Sequence, residues 1–203
     1  MSFKLFDCKI GISFLFVALI TGTIIYDKSL SVLWGVLAAL IHEIGHLLAM
    51  IIIGDKPESI MFNLFDVAIV DTKRAAHSYK HDVFILALGP ILNICIFGLF
   101  YFTYSFFEIE NLYTFSLQNL FLGMMNLLPI ESLDGGQILY ILFSKSFSQR
   151  KTEIIIQIIS FVVLFPLLII GLIILLRSKY NFSLLFISLY LMAVIIFKNG
   201  RFI

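Results

Sequence analysis

Charge is scarce in this chain. Of 203 residues only 13% are Asp, Glu, Lys or Arg, and the formal net charge is +1. No Lys/Arg run offers a surface for phosphates, so no nucleic-acid partner is expected. Cysteine is almost missing too. Cys8 and Cys95 are too few and too unlike in context to build a disulfide framework, which sets redox chemistry and a stapled secreted fold aside. There is one tryptophan, and there is no internal repeat, low-complexity tract or appended soluble domain. Apolar side chains fill the space instead: hydrophobic residues make up 61% of the chain and the mean hydropathy is +1.05, far above a soluble domain of this length. The composition is that of an integral membrane protein in contact with the lipid bilayer.

Apolar runs fall at 10–26, 30–53, 83–107, 113–128, 154–176 and 182–197, each set against a bilayer core of roughly 30 Å at about 1.5 Å per helical residue. They predict an all-α polytopic protein of about six spans, forming one membrane domain over residues 1–203. Lys4 and Lys9 precede the first run as in a secretory signal, but no small-residue cleavage site follows, so the run reads as a retained first helix. Residues 54–82 are the least membrane-like part, and the β-branched and aromatic content of 61–71 suits a strand or hairpin at the membrane surface. The fourth span is predicted to break. Pro129 ends its helix, and Asp134-Gly135-Gly136 can start a new one at 137–143. A broken helix at membrane depth is tolerated only against protein or a water-filled cavity, so the break points inward.

With the N-terminus inside, the interior segments hold Lys4, Lys9, Lys56, Lys73, Arg74, Lys80, Lys145, Arg150, Lys151, Lys198 and Arg201, against Lys28, Arg177 and Lys179 outside. This bias makes the chain a multi-pass protein of the cell membrane with both termini cytoplasmic.

The second run contains Ile41-His42-Glu43-Ile44-Gly45-His46, an H-E-x-x-H motif. In a helix, His42 and His46 lie one turn apart on one face and can reach a single zinc ion. Glu43 then sits beside the metal, where it can take a proton from a water and pass it to a leaving amine. Ionisable groups in a membrane-length apolar segment are functional candidates by default. A catalytic zinc needs a third protein ligand and one open position. Ala49 and Ile52 stand where a metzincin has Gly and His, which excludes that class. Asp66 and Asp71 are alternatives for the third ligand, but they fall in the surface loop. Asp134, alone between an apolar span and a Gly-Gly step, is the better candidate. His77 and His81 are also four apart, in a charged stretch that reads as ordinary juxtamembrane surface. The phenylalanines and Trp34 read as lipid-facing or packing residues.

The order H-E-I-G-H in the second span, Gly89-Pro90-x-x-Asn93 in the third, and Asn126-x-x-Pro129 leading to Leu133-Asp134-Gly135-Gly136 after the fourth resembles the site-two protease family of intramembrane zinc metalloproteases. The likeness covers nearly the whole chain and is to a compact form of the sporulation-type branch, without a PDZ or cystathionine-β-synthase-type domain. It implies a zinc metalloendopeptidase with one Zn2+ per chain, His42, His46 and Asp134 as ligands and Glu43 as general base. Asn126 matches a motif position that holds substrate backbone or supports the break. Asn93, Pro129 and Gly135 are further candidates for substrate binding or site support. The implied partner is a single-span membrane protein substrate, whose helix must unwind to expose its carbonyls and could then pair with an edge in 61–71. Two other readings use the same residues: a metal or solute transporter with a midplane histidine site, and a proteolytically inactive member that only binds membrane partners. An inverted repeat, expected of many transporters, is absent.

Overall fold

The computed structural model describes residues 2–5, 8–14, 17–18, 21–22, 31–55, 59–62, 67–70, 78–178 and 181–199. They form two compact units, Met1–Met124 and Met125–Ile203.

In the first unit, β1 (Ser2–Leu5), β2 (Cys8–Ile12), β3 (Ser59–Phe62) and β4 (Val67–Val70) make one sheet in the order β1-β2-β3-β4. The β1/β2 and β3/β4 pairs are antiparallel, whereas β2 and β3 run parallel with Ile10 opposite Ile60. A parallel pair requires a long crossover. The chain between the two strands supplies it and includes α1 (Ser31–Ile53).

The sheet corrects the first apolar run. Its opening residues, Ile10 to Ile12, belong to β2: Ile10 and Gly11 are paired to both β1 and β3, and Ile12 to β3. Hydropathy cannot distinguish a short apolar strand from the start of a helix, and the β-branched Ile10 and Ile12 find backbone partners from distant sequence. Helical backbone follows at Phe14, Val17, Ala18, Thr21 and Gly22, with Thr21 Oγ1 donating to Val17 O at 2.8 Å. The rest of 10–26 lies outside the described residues, as do Asp66, Asp71 and His77.

Helices α2 (Tyr79–Phe107) and α3 (Glu110–Asn126) complete the first unit, α3 running on into the second. Both begin earlier than the apolar runs at 83 and 113, because Asp82 and Glu110 occupy first turns where a negative charge opposes the helix dipole favourably. Glu108 ends α2 in a left-handed conformation at φ 53°, its N–H donating to Tyr104 O.

The second unit holds α4 (Asp134–Phe143), α5 (Gln149–Ser178) and α6 (Ser183–Asn199). Helix α5 also starts ahead of its apolar run, and its first turn is tied by Gln149 Nε2 donating to Glu153 Oε1 at 3.2 Å. Ile130, Leu164, Leu191 and Ile195 form its core.

Helices α1, α2 and α5 are long and apolar enough to cross a membrane. Their surfaces suit lipid. Ile52, Phe107 and Val162 are exposed, whereas Asn93, Asn119 and Ser160 are fully buried. A water-soluble protein distributes these residue types the other way.

Candidate metal centre

Helix α1 has no proline, no charge but Glu43, and a helix-favouring Leu/Ala-rich sequence around its motif. Its 3.6-residue period therefore puts His42, Gly45, His46 and Ala49 on one buried stripe, with Ile44, Leu48, Ile51 and Ile52 exposed opposite. Helix α2 packs on that stripe. A Cβ on Gly45 would lie 2.7 Å from Gly89 Cα, so the two backbones touch. A Cβ on Gly89 would in turn meet His46 Cε1 at 2.5 Å, His46 Nε2 at 2.6 Å and His42 Cε1 at 3.1 Å. Gly89 is thus the floor on which both imidazoles rest.

Each imidazole is anchored through Nδ1. His46 Nδ1 is 2.8 Å from Ile85 O, a carbonyl that can only accept, so Nδ1 carries the proton and Nε2 keeps its lone pair. His42 Nδ1 donates to Asn93 Oδ1 at 2.8 Å. The two Nε2 atoms face each other at 3.1 Å. Two lone pairs at that distance repel unless a cation lies against both, and tetrahedral zinc with bonds of about 2.0–2.1 Å separates its nitrogen ligands by a similar span, about 3.3 Å. Glu43, next along the helix, is half-buried.

Asp134 is buried and opens α4, preceded by Leu133 in an extended conformation. Asp134 lies in the second unit, and its carboxylate is the kind of donor that a two-histidine zinc site lacks. Two imidazoles and a carboxylate suit zinc and leave a coordination position open.

Three comparisons bear on what this centre belongs to. The profile of Peptidase family M50 matches residues 107–168, which include the break and Asp134. A zinc metalloprotease of Methanocaldococcus jannaschii is 31% identical over 150 residues, 68% of this chain and 42% of the relative. Stage IV sporulation protein FB of Bacillus subtilis is 27% identical over 122 residues, 58% and 41% respectively. The chain therefore spans about two fifths of the length of the curated relatives it matches. The solved structure of a site-2 protease from M. jannaschii superposes with a TM-score of 0.61 at 26% identity, over 94% of this chain and 92% of that one. The chain is similar to site-2 proteases. The likeness to a site-2 protease structure extends over nearly the whole chain.

The break at 127–133 has a defined shape in this chain. Leu128 N donates to Met125 O, Ile130 N to Leu128 O across Pro129, and Leu133 N to Ile130 O. Ile130 is fully buried in the core beside Leu164, Leu191 and Ile195. Glu131 N donates to Ser160 Oγ at 2.8 Å, and that hydroxyl donates to Ile156 O. Gly135 and Gly136 close the turn, because a Cβ at either would collide with the carbonyls of Leu127 and Leu128 or of Ile130. Asn126, at the end of α3, and Pro129 are half-buried at the mouth of the break.

Ser160 and Ile130 were not legible as site residues, and neither was Asn119, which accepts from Asn93. Serine in an apolar span reads as ordinary packing. Replacing Ser160 with Ala should lower thermal stability in detergent by about 0.5–1.5 kcal/mol and slow turnover, because Glu131 N–H loses its acceptor three residues before Asp134.

Proposed function

We propose that this chain is an intramembrane zinc metalloprotease that hydrolyses a peptide bond in or near the transmembrane segment of a single-span membrane protein, with residues 1–203 acting as one catalytic domain. The observation that carries this reading is the convergence of the His42 and His46 Nε2 atoms, 3.1 Å apart and buried within an apolar helix. In this reading His42, His46 and Asp134 hold the metal. Bound zinc supplies Lewis acidity, polarising a carbonyl and bringing the pKa of a water to about 7. Glu43 is the general base: its carboxylate takes the proton of the attacking water and delivers it to the leaving amine. Asn93 Oδ1 and Ile85 O keep both rings aimed at one point. Asn126 binds substrate backbone, and Pro129 and Gly135 shape the break that presents Asp134. The experiment is to measure zinc content and cleavage of candidate single-span proteins on wild type and Glu43→Gln in parallel.

Six spans with cytoplasmic termini remain the favoured topology, supported by the three helices of crossing length and the Lys/Arg bias. Substrate pairing is assigned to the sheet edge. Asn63 and Asp66 lie outside the described residues, and β3 is paired on both sides, so among the described residues the edge near 61–71 is β4. Along a strand the N–H groups alternate between its two neighbours. Proline at Ala68 or at Ile69 therefore removes one outward donor in one variant and one β3 contact in the other. The outward variant should cut cleavage several-fold, about 1 kcal/mol of lost pairing, at unchanged zinc content. Full-rate cleavage by both variants would sink the edge assignment.

A transport reading predicts metal flux that survives Glu43→Gln, and a binding-only reading predicts no cleavage by the wild type.

A further inference from the structure

The polar groups behind His42 form a chain whose direction is set at its far end. Asn119 Nδ2 donates to Phe115 O at 2.9 Å. A main-chain carbonyl can only accept, so the amide nitrogen of Asn119 must face it and the Oδ1 atom must face the other way. That Oδ1 accepts from Asn93 Nδ2 at 2.9 Å, and the same nitrogen donates to Ala38 O at 3.0 Å. Asn93 has only one orientation left, with Oδ1 towards His42 Nδ1 at 2.8 Å. Flipping the Asn93 amide would set its oxygen against two acceptors and its nitrogen against the ring. Both asparagines are fully buried, where water cannot repair a mismatch.

The approach of α3 is built for this contact. One turn beyond Asn119, Gly123 has no Cβ, and one there would lie 3.0 Å from Pro90 O and 3.1 Å from Asn93 Cβ. Beside Asn119, Gln118 Nε2 donates to Ser31 O at 2.8 Å, tying α3 to the start of α1 as well. Asn119 is thereby held on both sides at the back of the histidine pair.

We infer that Asn119 is a positioning residue of the metal centre: acting through Asn93, it keeps the His42 proton on Nδ1 and so leaves Nε2 free to bind the metal. The inference rests on His42 being a ligand. It assigns α3 a role that no motif in the sequence marks, since the hydrogen bonds of Asn119 run to Phe115 and Asn93.

The test is zinc affinity of the full-length protein purified in detergent, measured by competition with a chromophoric chelator. Asn93→Leu should weaken zinc binding by about 10–100-fold, the range such outer partners command. Asn119→Leu should weaken it by a smaller factor, because Ala38 O still holds Asn93. The double variant should bind no more weakly than Asn93→Leu alone, as a residue acting through another requires. Asn119→Asp, which keeps an oxygen towards Asn93, should bind zinc more tightly than Asn119→Leu. A purely structural role predicts the reverse order, since leucine suits an apolar helix better than a buried carboxylate. Wild-type affinity in Asn119→Leu, or losses that multiply in the double variant, would overturn the inference. If Asn119→Leu does not accumulate, Asn119→Ser carries the same expectation, its hydroxyl being too short to reach Asn93. His42→Ala separates the two levels: wild-type zinc affinity there overturns the ligand reading itself, whereas lost zinc there with full affinity in Asn119→Leu overturns the relay alone.

Discussion

Glu43→Gln is expected to keep one zinc per chain and the wild-type melting temperature while losing peptide-bond cleavage by about 10²–10⁴-fold. The amide has the shape of the carboxylate but cannot accept a proton from water. Glu43 is half-buried on α1, and in the proposed reading it is a base and not a ligand, so its replacement should leave the bound metal in place. The helix gives no reason for unfolding either, because glutamine and glutamate have similar helix propensities. Zinc by elemental analysis, thermal unfolding and cleavage of a single-span substrate, all on the same preparation, make the comparison. Cleavage at the wild-type rate would remove Glu43 as general base, and coordinate loss of zinc would mean that it serves as a ligand.

Gly89→Ala should empty the metal centre without weakening the helix that carries it. The added Cβ would stand 2.5 Å from His46 Cε1 and 3.1 Å from His42 Cε1, well inside van der Waals contact, so at least one ring must leave the position where the Nε2 atoms converge. Alanine favours a helix over glycine by about 0.8–1.0 kcal/mol, which makes α2 itself more stable. Zinc affinity should therefore fall by about 10–100-fold or more while the helical signal is retained. Gly98→Ala is the control on the same helix, because a Cβ there meets nothing within 4 Å. If Gly89→Ala binds zinc as tightly as Gly98→Ala, the close-packed floor beneath the imidazoles is not what positions them.

Both predictions concern residues of a short motif, yet they differ in how legible they were. Glu43 was assigned from its neighbours alone: two histidines at helical spacing define a face, and the residue between them beside that face has little other use at membrane depth. Gly89 stood in the G-P-x-x-N motif without a physical role. Its part becomes apparent only when α1 is laid against α2, with Gly45 meeting Gly89. The break after α3 was foreseen from Pro129 and the Gly-Gly step, and α4 begins at Asp134 as those residues allow. The anchor that shapes the break, Ile130, was hidden because an isoleucine in an apolar chain carries no distinguishing mark.

The N-terminal strands show the opposite failure. Ile10 to Ile12 joined an apolar run that looked helical, because a hydropathy pattern reports burial and not which backbone will pair. Their partner strand, β3, begins at Ser59, well beyond any window in which periodicity is counted.

What the amino-acid order determined by itself was the chemistry on one helix. The period of α1 puts the two imidazoles on one face, and the scarcity of charge makes them an expensive choice that only a function explains. What tertiary structure alone decided was the state of those imidazoles. Asn93 is 51 residues from His42 and Ile85 is 39 residues from His46. Hydrogen bonds across such separations depend on how closely helices approach, which glycines on facing surfaces control and which no local pattern encodes.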